Sequence, residues 1–189
     1  MFASGNGGNF EAICRSCSEG SLHAEVALCV CDRPGAMVER RARRLGIPLL
    51  SLNPEDFATK REYEAFIVDR LKERGIDLIC FAGYMRIAES VLLGAYGGRI
   101  LNIHPSLLPA YKGARAISDA FRNGERRYGV TVHYVDETID GGPILAQESL
   151  EYHGSDIEEL ERYIHRIEHR LYPAVIGEVL DSTCGSRNN

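Results

Sequence analysis

Apolar runs of strand length alternate along this chain with segments whose apolar residues recur every three or four positions. "MFAS" reads as the tail of a strand and "GNGGN" as a turn. "NFEAICRSCSEG" then predicts a helix that Asn9 caps and Gly20 ends. "AEVALCVC" predicts a buried strand, "GAMVERRARRLG" a basic-faced helix closed by Gly46, and "IPLLSL" a short strand. In "TKREYEAFIVDRLKERG", Tyr63, Phe66, Ile67 and Leu71 fall on one helical face, with Gly75 as the stop. "IDLICFAGY" is a near-continuous apolar run, as expected of a strand in a parallel sheet covered on both faces.

After Leu101 the pattern changes. "GVTVHYVDETIDGGPILAQESL" predicts two strands joined by a polar, glycine-containing loop, and so an antiparallel or mixed edge. A last helix is expected from about residue 156 to 180, kinked or split by Pro173, and the tail "STCGSRNN" reads as frayed. No internal repeat, low-complexity stretch or linker interrupts the chain. The pattern predicts an α/β fold. Its three layers are a mostly parallel twisted sheet with helices on both faces, and an antiparallel edge comes near the C-terminal half. Ligands are then expected at the carboxyl ends of the strands.

The length, 189 residues, suits one domain, and 44% apolar with 26% charged residues is a globular composition. A net charge of −5 gives no basic field for nucleic acid, although a local nest or an arginine still binds a small anion inside an acidic protein. No run of about 18 apolar residues suggests a membrane span. The opening "MFASGNGGNF" lacks the basic and greasy regions of a secretory signal, so a cytoplasmic protein is expected. Of the six cysteines, Cys14, Cys17, Cys29, Cys31, Cys80 and Cys184, only Cys14 and Cys17 are spaced CxxC. No second pair completes a zinc set, which leaves reduced, structural thiols, with Cys29 and Cys31 on one strand face.

Three stretches carry candidate chemistry. In "SGNGGNF" the glycines sit between a strand and a helix, where backbone N–H groups can close on an anion; the same loop also reads as a plain tight turn. It matches neither GxGxxG nor GxxxxGK[ST]. In "LNIHPSLLP", Leu101 and Ile103 point one way along a strand while Asn102 and His104 point the other. Either that polar pair is satisfied by nearby backbone, or it faces a crevice with an amide for an oxyanion and an imidazole for protons. In "DETIDGGPIL", Asp140 is either a turn residue or a carboxylate beside His104 that raises the histidine pKa. His133 in "TVHYV" reads as structural, and His23, His153, His165 and His169 show no metal-ligand pattern. Arg86 belongs either to the crevice rim or to the surface, and "RRARR" to a solvated helix face.

Taken together, "SGNGGN", "FAGYMRI", "LNIHPSLLPAYKG", "GVTVHYV" and "DGGPIL" resemble, in order and spacing, the folate-dependent phosphoribosylglycinamide formyltransferase family. The resemblance runs over nearly the whole chain. It implies a single catalytic domain over 1–189, with a nucleotide-phosphate half at about 1–100 and a folate and catalytic half at about 101–189. It implies formyl transfer from 10-formyltetrahydrofolate, as cosubstrate and without metal, to the amine of glycinamide ribonucleotide in purine synthesis. His104 corresponds to the general acid/base, Asn102 to the residue that polarises the formyl carbonyl, and Asp140 to the carboxylate that raises the histidine pKa. Gly7, Gly8 and Asn9 match the loop that holds the nucleotide phosphate, and Glu168 in "IEHRLYP" matches an acidic residue that helps hold the ribonucleotide. Met85, Arg86, Ile87 and Ala88, with Asn102 and the basic position Lys60 (Arg61 beside it), match the folate contacts.

Three departures stand out against that family. The first strand is shorter, Gly8 replaces a small hydroxyl residue, and Lys60 stands where arginine is frequent, which keeps the charge but not the bidentate geometry. Relatives that share the core are the alternatives: formyltetrahydrofolate hydrolases, with a domain before it, and methionyl-tRNA formyltransferases, with a nucleic-acid-binding domain after it. A third alternative is a non-catalytic nucleotide-binding module. The expected partners are the two small molecules only, with no nucleic acid or membrane, acting on a monomer or homodimer.

Overall fold

The computed structural model describes the backbone of residues 1–186 and the side chains of residues 1–183. Five parallel strands come first in the chain: β1 (Phe2–Ala3), β2 (Cys29–Cys31), β3 (Leu49–Ser51), β4 (Ile79–Phe81) and β5 (Ile100–His104). The antiparallel strands β6 (Arg127–Tyr134) and β7 (Ile144–Glu151) complete a seven-stranded sheet in the order β3-β2-β1-β4-β5-β6-β7. Helices α1 (Gly8–Ser18), α2 (Met37–Arg44), α3 (Lys60–Glu73), α4 (Ser90–Tyr96), α5 (Ala116–Arg122) and α6 (Ile157–Ser186) connect and cover it.

The alternation of side chains along each strand sorts the core into two layers. Phe2, Val30, Ile79, Phe81 and Ile100 pack with Tyr63, Ile67 and Leu71 of α3 and with Leu92 and Tyr96 of α4. Ala3, Cys29, Cys31, Cys80, Leu101 and Ile103 face the other way, onto Phe10 and Ile13 of α1, Val38 of α2, and Leu160, Ile164 and Tyr172 of α6. Each fully buried large apolar side chain contributes roughly 1.5–3 kcal/mol, so both layers are needed to hold so short a set of strands. Burial also pushes the Cys14 thiol up to about 12 and those of Cys29 and Cys80 up to about 11, which keeps them protonated and inert. The Cys184 side chain lies outside the described residues.

The chain departs from the sequence expectation at several boundaries. Cys29–Cys31 is all that pairs of the strand expected over "AEVALCVC"; residues 24–28 run in without ladder partners. Asn9 does not cap α1. Gly7, at φ +78°, is the N-cap, and Asn9 lies inside the first turn with its side chain turned toward α6. Pro173 does not split the last helix, which runs unbroken from Ile157 to Ser186. Buried contacts on both sides of Pro173, at Leu160, Ile164, Tyr172, Val175 and Ile176, outweigh the lost backbone bond. The start of the tail is helical too: Ser182 and Thr183 donate their hydroxyls to the Val179 carbonyl at 2.8 and 2.7 Å. Residues 187–189 of that tail lie outside the described residues.

The strand order also fixes where a ligand can sit. The chain leaves β1 toward β2 and β3, then returns to β4 on the other side of β1. That reversal opens a crevice at the carboxyl ends of β1 and β4, which the glycine loop flanks on one side and residues 84–89 on the other. Among the described residues, no helix is long and apolar enough to cross a membrane.

Candidate active site

A cleft of about 470 Å³ occupies this position, and its wall includes Asn9, Arg86, Asn102, His104, Asp140 and Glu168. The alternation along β5 produces its floor. Leu101 and Ile103 are buried on the α1/α6 side, so Asn102 and His104 emerge on the opposite face, beyond the cover that α3 and α4 give Ile100.

Asp140 ties the site together. Its backbone sits at φ +46°, in the left-handed region, at the tip of the loop between β6 and β7. Oδ2 accepts the Gly113 N–H at 2.8 Å and lies 3.5 Å from His104 Nδ1. Oδ1 lies 3.5 Å from Asn102 Nδ2 and 3.7 Å from His133 Nε2. The other nitrogen of His104, Nε2, donates to the Tyr111 carbonyl at 2.8 Å. The imidazole is therefore held between a carboxylate and a carbonyl, and it is 5% exposed.

The loop that carries Tyr111 and Gly113 is braced from the sheet edge. Thr131 of β6 donates its hydroxyl to the Ser106 carbonyl and accepts the Leu108 N–H. Gln147 of β7 donates to the Leu108 carbonyl at 2.9 Å. The antiparallel edge thus fixes the backbone groups that orient the histidine.

At the other end of the cleft, α1 presents its first-turn N–H groups, which have no partner within the helix. Gly7 fits there as no other residue does: a Cβ would fall 2.7 Å from Val38 Cγ2. A Cβ on Gly8 would come within 2.9 Å of His169 Nε2, so the imidazole fills the space that a hydroxyl side chain would need. Asn9 donates to Glu168 Oε2 at 3.1 Å, while its own Oδ1 is buried without a partner. Glu168 also accepts from His165 Nδ1 at 2.8 Å, and this bond raises the His165 pKa. His169, stacked nearly parallel to His165, has its pKa lowered, chiefly by burial.

The fold therefore gathers Asn102, His104, Asp140, Asn9, Glu168 and residues 85–88 around one cleft, while Gly7 and Gly8, just before Asn9 at the start of α1, do not line it. Lys60 does not line it either. It pairs with Glu89 at 2.8 Å and borders a smaller adjoining hollow of about 250 Å³, which Arg86 shares. Three histidines read as structural or unpatterned also belong here. His133 is directly opposite Asn102 in the β5/β6 register and receives its amide N–H at Nε2, 3.1 Å away. Its Nδ1–H donates to the Tyr134 carbonyl, and burial lowers its pKa, so the ring is neutral. His165 and His169 share a helix face with Glu168 through the i, i+3 and i, i+4 spacing of "HRIEH", the signal that could have found them. No group of three or more His, Cys, Asp or Glu among the described residues is disposed to hold a metal ion.

Comparison with known proteins agrees with this architecture. The formyl transferase family model matches residues 1–176. Phosphoribosylglycinamide formyltransferase of Bacillus subtilis (strain 168) is 48% identical over 181 residues, 95% of this chain and 93% of its own length. The trifunctional purine biosynthetic protein adenosine-3 of Drosophila melanogaster is 38% identical across 97% of this chain, which spans 14% of that protein. The solved structure of glycinamide ribonucleotide transformylase 1 from Geobacillus kaustophilus is similar at TM-score 0.92 and 51% identity, over 95% of this chain and 96% of that one. Phosphoribosylglycinamide formyltransferase from Bacillus halodurans gives TM-score 0.92 at 49% identity, over 95% and 93%. With the match running from the first residue to residue 176, this chain belongs to the formyl transferase family.

Proposed function

We propose that this enzyme transfers a formyl group from 10-formyltetrahydrofolate to the amine of glycinamide ribonucleotide, a step of purine synthesis, and that Asn102, His104 and Asp140 carry the chemistry. The observation that supports it most is the Asp140 carboxylate, placed within 3.5 Å of both His104 Nδ1 and Asn102 Nδ2 in one cleft.

The folate supplies an activated formyl carbon. When the substrate amine attacks that carbon, a C–N bond forms and the carbonyl oxygen takes on negative charge. Asn102 has two amide hydrogens: one goes to His133 Nε2 at 3.1 Å and the other to Asp140 Oδ1 over a long 3.5 Å, a bond that the developing oxyanion replaces. A donor so placed is worth about 3 kcal/mol to the transition state. The amine must lose a proton, and the departing folate nitrogen must gain one as its bond to the formyl carbon breaks. His104 moves that proton at Nδ1, the nitrogen on the Asp140 side that the Nε2–H bond to the Tyr111 carbonyl leaves free to take it from the amine and give it to the folate nitrogen. Such a shuttle contributes ~10²–10⁴-fold in rate.

The two halves of the cleft divide the substrates. On the N-terminal side, the first turn of α1 with Gly7, Gly8 and Asn9 receives the phosphate, and Glu168 holds the ribonucleotide. On the other side, Met85 and Ile87, each about half exposed, offer an apolar wall to a planar heterocycle, with Arg86 and Ala88 between and beside them. Lys60, beside Arg86 in the adjoining hollow, faces the anionic end of the donor. The assay that tests this reading supplies both substrates and follows products. Formylated ribonucleotide formed in step with tetrahydrofolate is the expected result, and formate released without an acceptor amine contradicts it.

A further inference from the structure

Residues 84–89 have no regular secondary structure, yet they form one wall of the cleft and hold Met85 and Ile87 out at 55% and 50% exposure. Irregular backbone that displays apolar side chains keeps its shape only where its neighbours fix it. Two carboxylates do so here, together with the Ser4 hydroxyl, which accepts the Met85 N–H at 2.9 Å. Asp32, just past the end of β2, accepts from Arg86 Nε at 3.0 Å. Glu64 of α3 accepts the Glu89 N–H at 2.6 Å with Oε1 and the Leu92 N–H at 3.0 Å with Oε2. Both residues are buried, at 5% and 3% exposure, and neither lines the reaction cleft.

Each burial has a reason that leads back to the same segment. Helix α4 has no side-chain cap of its own at Glu89, so the Glu64 carboxylate acts as its cap from a different helix. Two charge-assisted bonds and the positive end of the helix offset its desolvation. Asp32 is offset by the guanidinium of Arg86, which also lies over the Tyr63 ring, 5.8 Å from its centroid. One carboxylate thus fixes a side chain within the segment and the other fixes the backbone at its end.

We propose that Asp32 and Glu64 are positioning residues for the folate donor, holding residues 85–88 in the shape that receives it. This rests on the reading that residues 85–88 contact the donor. The ribonucleotide side of the cleft is built on α1 and α6, which neither carboxylate bonds, so the two substrates should respond differently.

The experiment measures KM for 10-formyltetrahydrofolate, KM for the ribonucleotide, kcat and melting temperature in Glu64→Ala, Glu64→Gln, Asp32→Asn and Ile87→Ala. Glu64→Ala, which loses both bonds, and Asp32→Asn, which loses the charge facing Arg86, are expected to raise the folate KM ~10-fold, with the ribonucleotide KM within about twofold. Glu64→Gln, which keeps one acceptor oxygen, should recover part of the loss, and it carries the test together with Asp32→Asn if Glu64→Ala does not fold. Equal rises in both KM values, or a lower melting temperature with the folate KM unchanged, overturn the proposal. Ile87→Ala separates the two ways of failing. If it leaves the folate KM unchanged, the contact reading falls and the proposal with it. If it raises the folate KM while the carboxylate variants do not, only the positioning role falls.

Discussion

Asn102 and His133 face each other across the antiparallel β5/β6 pair, with Asn102 Nδ2 donating to His133 Nε2 over 3.1 Å. Because the His133 Nδ1–H is committed to the Tyr134 carbonyl, Nε2 is an obligate acceptor. The amide of Asn102 is thereby oriented by a neutral ring rather than left free to turn. Replacing His133 by alanine is expected to lower kcat ~10-fold while both KM values stay within about twofold, since an oxyanion donor loses its orientation but not its presence. His133→Gln, which restores an acceptor, should recover part of that loss in steady-state assays.

Two histidines give the stability opposite pH dependences. Burial lowers the folded pKa of His133, so the folded state binds fewer protons there than the unfolded chain does. Its contribution is complete above the unfolded value of about 6.5 and is lost as pH falls. The bond to Glu168 raises the folded pKa of His165, so its contribution is complete below about 6.5 and is lost as pH rises through the raised value. Melting temperatures between pH 5 and 8 should show wild type losing more than His133→Gln on acidification. Against His165→Gln, wild type should hold its advantage in acid and lose it in base.

Gly7 is irreplaceable for a reason that does not involve substrate. An alanine at φ +78° is strained, and its Cβ would meet both the Val38 side chain and the Val38 Cα. Gly7→Ala is expected to destabilise the protein by at least about 1–2 kcal/mol, which calorimetry would read as several degrees in melting temperature. Gly8→Ser meets only the tip of the His169 ring, so it should cost little stability and act on the ribonucleotide KM.

The alternation of strands and helices, the parallel sheet with its antiparallel edge, and the face of β5 on which Asn102 and His104 emerge were the legible parts of this sequence. Strand-length apolar runs, glycine stops and the offset of Asn102 and His104 from Leu101 and Ile103 are local signals, and local packing preserves them. What stayed hidden depends on pairing between distant segments. His133 looks like any strand histidine until the register sets it against Asn102. Asn9 has the sequence signature of a cap, but tertiary contact with Glu168 draws its side chain away and leaves Gly7 to begin the helix. Pro173 breaks isolated helices, yet α6 continues because the sheet binds its apolar face on both sides of the proline. The β2 strand starts later than its pattern predicts because "AEVAL" is apolar enough to pair but no strand of the sheet runs beside residues 24–28.

The account stands on the convergence of two side chains of strand β5 and one from the β6–β7 loop on one reacting carbon, and the kinetics of His104→Ala test that most directly. With both substrates saturating and the fold verified by circular dichroism, kcat should fall ~10²–10⁴-fold, the loss of a proton shuttle. A variant that keeps kcat within about tenfold of wild type contradicts the assignment.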